Sequence, residues 1–139
     1  MHARARAPVV ARCGDGSFLF SGHELATAVH ERVRVVAVVF NDSAYGRIKA
    51  DQGYRYPGRP LGGDLRSPDF VHYAEASGER ACRVDAVQKV PEAVAAALEH
   101  AAPTLIEAPC PQALPPCIEL EGRVVGSIPA RLTIKRTAA

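Results

Sequence analysis

Six consecutive apolar residues, Val35-Val36-Ala37-Val38-Val39-Phe40, stop abruptly at Asn41-Asp42-Ser43. A run of this length is strand-sized, and a strand without polar alternation fits a parallel sheet covered on both faces. Parallel strands cannot be joined by a hairpin, so helical crossovers must stand between them. The flanking sequence supplies them. Residues 8–13 read as a short buried strand ended by Gly14-Asp15-Gly16, and residues 22–32 change to helical spacing, with Leu25, Ala28, Val29 and Val33 on one face. A helix is expected to begin within 44–49, and residues 53–65, rich in Gly and Pro, read as a loop. Ser67-Pro68-Asp69 predicts a helix start with Ser67 as N-cap, Pro68 in the first turn and Asp69 near the positive end. Phe70, Val71, Tyr73 and Ala74 supply its apolar side, and Gly78 its C-cap. A third strand is expected over 80–85 and a fourth over 104–108. Between them a helix over 91–101 has Val90, Val94, Ala97, Leu98 and Ala101 on one face. The order β-α-β-(α)-α-β-α-β predicts an α/β fold, a mostly parallel sheet flanked by helices.

Composition narrows the function classes. At 139 residues the chain makes one domain or part of one; with 47% hydrophobic and 23% charged residues it is neither a disordered tail nor a coiled coil. No apolar run approaches the roughly 18–20 residues of a membrane span, so no membrane partner is expected. The net charge of +2 comes from scattered basic residues with few aromatics among them, which argues against a nucleic-acid partner. Met1-His2-Ala3-Arg4-Ala5-Arg6 is basic but has no apolar segment behind it, so no signal peptide is expected. Cys13, Cys82, Cys110 and Cys117 form no Cys-x-x-Cys pair, which favours reduced thiols and a cytoplasmic location. Five prolines from Pro109 to Pro129 mark a tail or linker, giving an N-terminal tail over 1–7, a domain over 8–109 and a C-terminal tail over 110–139.

Ligands of an open parallel sheet bind at the carboxyl ends of its strands. Two polar loops fall at that edge: Gly14-Asp15-Gly16-Ser17 after the first strand, and Asn41-Asp42-Ser43-Ala44 after the second. One helical crossover joins them, so both lie on the same side. Their side-chain oxygens can converge on one small cation, and magnesium takes few protein ligands and prefers phosphate oxygens. The glycines flanking Asp15 let backbone approach a ligand, and N–H groups there, with the following helix, favour an anion. Together these point to a magnesium-bridged phosphate or diphosphate. Taken singly, Gly-Asp-Gly is a common turn and Asn-Asp-Ser a common loop, so a purely structural role stays open for each. The acid spacing after Asp15 is not that of an EF-hand, and no Gly-Lys-Ser/Thr follows as in a Walker loop.

Gly14-Asp15-Gly16, then 24 residues, then Asn41-Asp42 resembles the thiamine-diphosphate (ThDP) motif, Gly-Asp-Gly…Asn-Asn. The resemblance extends through Ser17-Phe18-Leu19-Phe20, Glu24-Leu25-Ala26-Thr27-Ala28-Val29, Val38-Val39-Phe40 and Ser43-Ala44-Tyr45-Gly46, then Asp64-Leu65-Arg66-Ser67-Pro68-Asp69-Phe70 and Ala74-Glu75-Ala76-Ser77-Gly78. It is similar to the acetolactate-synthase-like and benzoylformate-decarboxylase-like enzymes and covers the chain from about Pro8 to Pro109. The resemblance implies that Asp15, Asp42 and the carbonyl of Ala44 bind magnesium, that Gly16 and Ser17 contact the diphosphate, that Gly14 also belongs to the cofactor site, and that Tyr45 and Gly46 line the cofactor. Tyr45 could equally be packing. Asp42 stands where the family has its second Asn, which keeps the oxygen but adds a charge.

The implied chemistry is decarboxylation of a 2-oxo acid, followed by protonation or by carboligation with a second carbonyl. It also implies a pyrimidine-binding domain on the same or another chain, and a homo-oligomer. The chain corresponds to the diphosphate-binding domain without its N-terminal part, so it is expected to be inactive alone; a non-catalytic remnant with weak or no cofactor binding is the alternative. No catalytic acid or base is identified. His23 and Glu24 are read as helix-start residues, Glu24 through capping; His30, His72 and His100 are read as surface residues, and His2 lies in the tail.

Overall fold

The computed structural model describes residues 8–112. Four parallel strands, β1 (Val9–Gly14), β2 (Val35–Asn41), β3 (Arg80–Arg83) and β4 (Thr104–Pro109), form one sheet in the order β1-β2-β4-β3. Helices α1 (Asp15–Leu19) and α2 (Glu24–His30) connect β1 to β2. After β2 come α3 (Gly46–Arg55) and α4 (Phe70–Ala76), and α5 (Val90–Leu98) connects β3 to β4. The expected α/β architecture is present. No helix among the described residues is long and apolar enough to cross a membrane.

The central strands explain their own composition. On one face of the sheet Val39 and Leu105 pack with Phe18, Leu25, Phe70 and Ala74 from α1, α2 and α4. On the other, Val36, Val38, Ile106 and Ala108 pack with Ala97, Val90, Val94 and Leu98 from α5. Successive residues of β2 thus serve opposite layers, and a continuous apolar run results.

Several local expectations are corrected. The strand expected to be buried at 8–13 is an edge strand: it pairs with β2 alone among the described residues, and Val9 and Val10 are exposed. Val33, assigned to the buried face of α2, lies beyond the end of that helix and is exposed. Gly53 belongs to α3 rather than to the following loop. Helix α5 ends at Leu98, which leaves Ala101 outside it and exposed. Gly14-Asp15-Gly16 does not lead into a loop, because Asp15 already begins α1. A five-residue helix is not stable by itself. Phe18 anchors it, edge-on to Phe70 at 5.4 Å and to Tyr73 at 5.9 Å. Gly22 leaves room for that ring: a Cβ there would stand 2.7 Å from it.

The start of α4 is also corrected. Its N-cap is Asp69, whose carboxylate accepts from the N–H groups of Val71 and His72; Ser67 lies two residues further out. The end of α4 is as expected, with Gly78 at φ +83°. Gly78 N–H donates to Glu75 O at 2.9 Å and Glu79 N–H to Ala74 O at 3.0 Å, the paired bonds of a Schellman motif. In that motif the residue after the glycine packs back on the helix and is usually apolar. Here it is Glu79, 6% exposed, with neither carboxylate oxygen hydrogen-bonded.

Desolvation pushes the Glu79 carboxyl up to about 7. Because the folded value exceeds the unfolded one, ionisation opposes folding. The penalty grows as pH rises from about 4.5 to about 7 and is complete above that. Glu79→Leu is therefore expected to raise stability by about 2 kcal/mol at pH 8 and by much less at pH 4.5. Urea denaturation at the two pH values checks this; an equal gain at both would place the effect elsewhere.

Candidate functional site

Strands β1 and β2 run side by side, with Gly14 opposite Phe40. The residues that follow each strand therefore emerge at the same edge. They border a cleft of about 530 Å³ at the carboxyl end of the sheet. Gly14, Asp15, Gly16, Ser17, Asp42, Ala44, Tyr45 and Gly46, the eight residues singled out in the sequence, all line it. Phe20, Phe40, Arg47, Ile48 and Cys110 complete the wall.

Asp15 is 1% exposed. Its Oδ1 accepts from Gly16 N–H at 2.8 Å and its Oδ2 from the Ser67 hydroxyl at 2.9 Å. The second bond explains where Ser67 went: its hydroxyl orients a buried carboxylate, and the cap passes to Asp69. Asp42 is held by Ala44 N–H, which donates to Oδ1 at 3.1 Å. Desolvation and then the charge of Asp15 raise the Asp42 carboxyl above its ordinary range, partly offset by backbone hydrogen bonds and by Lys49. The two carboxylates thus share one electrostatic environment.

Two glycines make room. A Cβ on Gly16 would lie 2.5–2.7 Å from the Tyr45 ring, and one on Gly46 would lie 2.8 Å from Asp42 Oδ2. Tyr45 thus packs over Gly16 while lining the cleft. Segment 43–45 is pinned by segment 63–65: Tyr45 N–H donates to Gly63 O and Leu65 N–H to Ser43 O, both at 2.8 Å. Lys49 Nζ bonds Asp64 at 2.6 Å and Gln112 at 2.8 Å. Cys110 N–H donates to Asn41 O at 2.9 Å. The first residues of the expected C-terminal tail therefore lie against the site; 113–139, with Cys117, and the tail 1–7 with His2 lie outside the described residues. Cys13, Cys82 and Cys110 are free thiols.

The donor set suits a hard cation. Among the described residues no three His, Cys, Asp or Glu side chains cluster as a full metal cage. Two carboxylates beside an open cleft are what magnesium uses when phosphate oxygens and water complete its shell. Helix α1 has only five residues and lacks the long aligned dipole of an anion-binding helix. The anion-binding backbone expected at Gly16 and Ser17 falls within this short helix, and Gly16 N–H already donates to Asp15 Oδ1.

The remaining candidates lie elsewhere. His23, His30 and His72 have strongly exposed side chains, and His100 is exposed. Glu24 makes no capping hydrogen bond; its close partner is His23 at 3.5 Å. Sequence reasoning missed Ser67, Phe20, Phe40, Arg47, Ile48 and Cys110. The only signal for Ser67 was the run it shares with Asp69.

A family profile described as "Thiamine pyrophosphate enzyme, C-terminal TPP binding domain" matches residues 1–108. Acetolactate synthase of Bacillus subtilis is 35% identical over 101 residues, which are 73% of this chain and 18% of that protein. Sulfoacetaldehyde acetyltransferase of Alcaligenes xylosoxydans is 35% identical over 92 residues, 66% of this chain and 15% of that protein. The chain thus spans less than a fifth of the length of these relatives. The crystal structure of benzoylformate decarboxylase from Polynucleobacter necessarius superposes with a TM-score of 0.72 at 30% identity, covering 78% of this chain and 20% of that one.

Ser67→Ala removes a hydrogen bond to a buried carboxylate and is expected to lower stability by about 1.5–3 kcal/mol. Amide exchange at Val71 and His72 should stay slow, because Asp69 still caps α4. Lost protection at those two amides with unchanged global stability would return the capping role to Ser67.

Proposed function

The chain belongs to the thiamine pyrophosphate enzymes, through their C-terminal TPP-binding domain, and from that premise we propose that its cleft binds magnesium and the diphosphate of ThDP. The observation that carries the proposal is the convergence of Asp15 and Asp42 on one cleft. In this reading Asp15, Asp42 and the Ala44 carbonyl hold magnesium. Gly16 and Ser17 contact the diphosphate, and Gly14, Tyr45 and Gly46 border the cofactor.

When bound, ThDP supplies the carbanion stabilisation needed for a 2-oxo acid to lose carbon dioxide. This chain contributes binding and orientation. No catalytic acid or base is assigned among the described lining residues. We accordingly assign the chain to a 2-oxo acid decarboxylase or carboligase of the acetolactate-synthase-like kind. It works with a pyrimidine-binding domain of the same or another chain in a homo-oligomer.

Asp42 adds a charge beside Asp15. Attraction for the cation rises with ligand charge, while the neighbouring diphosphate is repelled. Asp42→Asn is expected to weaken magnesium binding about tenfold, and Asp15→Ala about a hundredfold. Calorimetric titration of ThDP should show binding with magnesium and none in EDTA. Pyruvate and benzoylformate should not be turned over by the pure chain with both cofactors. Equal ThDP binding in EDTA, or full binding by the Asp15→Ala chain, contradicts the proposal.

A further inference from the structure

We infer that Glu107 is a positioning residue for the Asn41-Asp42 loop: gripped by Arg83, it fixes Asn41 and through it the turn that presents Asp42. The inference deepens the reading of that loop as metal-binding and rests on it.

Glu107 lies within β4, 2% exposed, where an unpaired carboxylate would be costly. Its two oxygens have different partners. Oε2 takes Arg83 Nε at 2.9 Å and Nη2 at 2.8 Å. Oε1 takes Asn41 Nδ2 at 2.8 Å. Sheet register creates this meeting. Arg83 is directly opposite Glu107, Glu107 is opposite Val39, and Asn41 lies two residues beyond Val39 on the same face.

An ionised carboxylate only accepts hydrogen bonds, so it fixes which way the Asn41 amide points. Asn41 Oδ1 is thereby turned toward Ser43, whose N–H donates to it at 3.1 Å. Ser43 adopts φ +55°, a left-handed conformation that a non-glycine residue adopts only with support. That turn brings Ala44 N–H to Asp42 Oδ1.

The other end of the chain is anchored as well. Arg83 Nη2 also bonds Asp69 Oδ2 at 3.0 Å. Asp69 caps α4, two residues after the Ser67 that holds Asp15. One polar path from β2 through β4 and β3 to the start of α4 therefore links the supports of both cleft carboxylates.

The test uses Glu107→Gln, Asn41→Ala and the double variant of the full chain. A glutamine must turn an N–H toward either Arg83 or Asn41, so one grip is lost. In the ligand-free chain, amide exchange at Ser43 and Ala44 is expected to speed up about tenfold in Glu107→Gln while α5 amides keep their protection. Manganese affinity in the presence of ThDP should fall about tenfold in each single variant. It should fall no further in the double variant, since the two residues act in series. If Glu107→Gln does not fold, Arg83→Lys takes its place in the cycle.

Wild-type exchange at Ser43 and Ala44, or losses that multiply in the double variant, would overturn the inference. Failure of the unaltered chain to bind manganese with ThDP would overturn the functional proposal, and the exchange measurement would still decide the positioning role.

Discussion

Two carboxylates that face one cleft repel each other, and this fold is built to hold them there. Asp15 is almost fully buried and Asp42 carries a carboxyl raised by burial and by its neighbour's charge. Like charges kept together in a partly dry site are costly unless something positive sits between them. The surrounding structure fixes the pair in place: Ser67 on one carboxylate, Ala44 on the other, and glycines wherever a side chain would intrude. The cation proposed for this cleft would relieve that repulsion.

The sheet supplies the registration. Neighbouring parallel strands end at the same height, so residues far apart in sequence are delivered to one edge. Small anchors then transmit the position. Phe18 holds the single turn that begins with Asp15, and Glu107 on the neighbouring strand, itself held by Arg83, holds Asn41. None of these supports needs to touch a ligand to decide where the ligand groups stand.

Much of this was legible in the sequence, and what was not has identifiable causes. The unbroken apolar run of β2 announced a strand covered on both faces, and the polar tripeptides after β1 and β2 pointed to the edge where the cleft lies. The exposure of β1 was not legible, because Val9-Val10-Ala11 looks alike in a central or an edge strand. Ser67 and Asp69 are both good caps by type; the choice between them was made by Asp15, 52 residues before Ser67. Helix α1 contradicts the propensity of its glycine and is explained by the packing of Phe18. The Asn41–Glu107 contact spans 66 residues and leaves no local signature. Glu79 occupies an apolar position of a helix ending, which only the folded geometry reveals.

The most direct measurement is paramagnetic broadening by manganese in the amide spectrum of the full chain with ThDP. If Asp15 and Asp42 share one divalent ion, resonances at residues 14–17 and 41–46 vanish first, while those of α5 on the opposite face persist. Broadening confined to one of the two segments, or strongest at α5, would contradict the account.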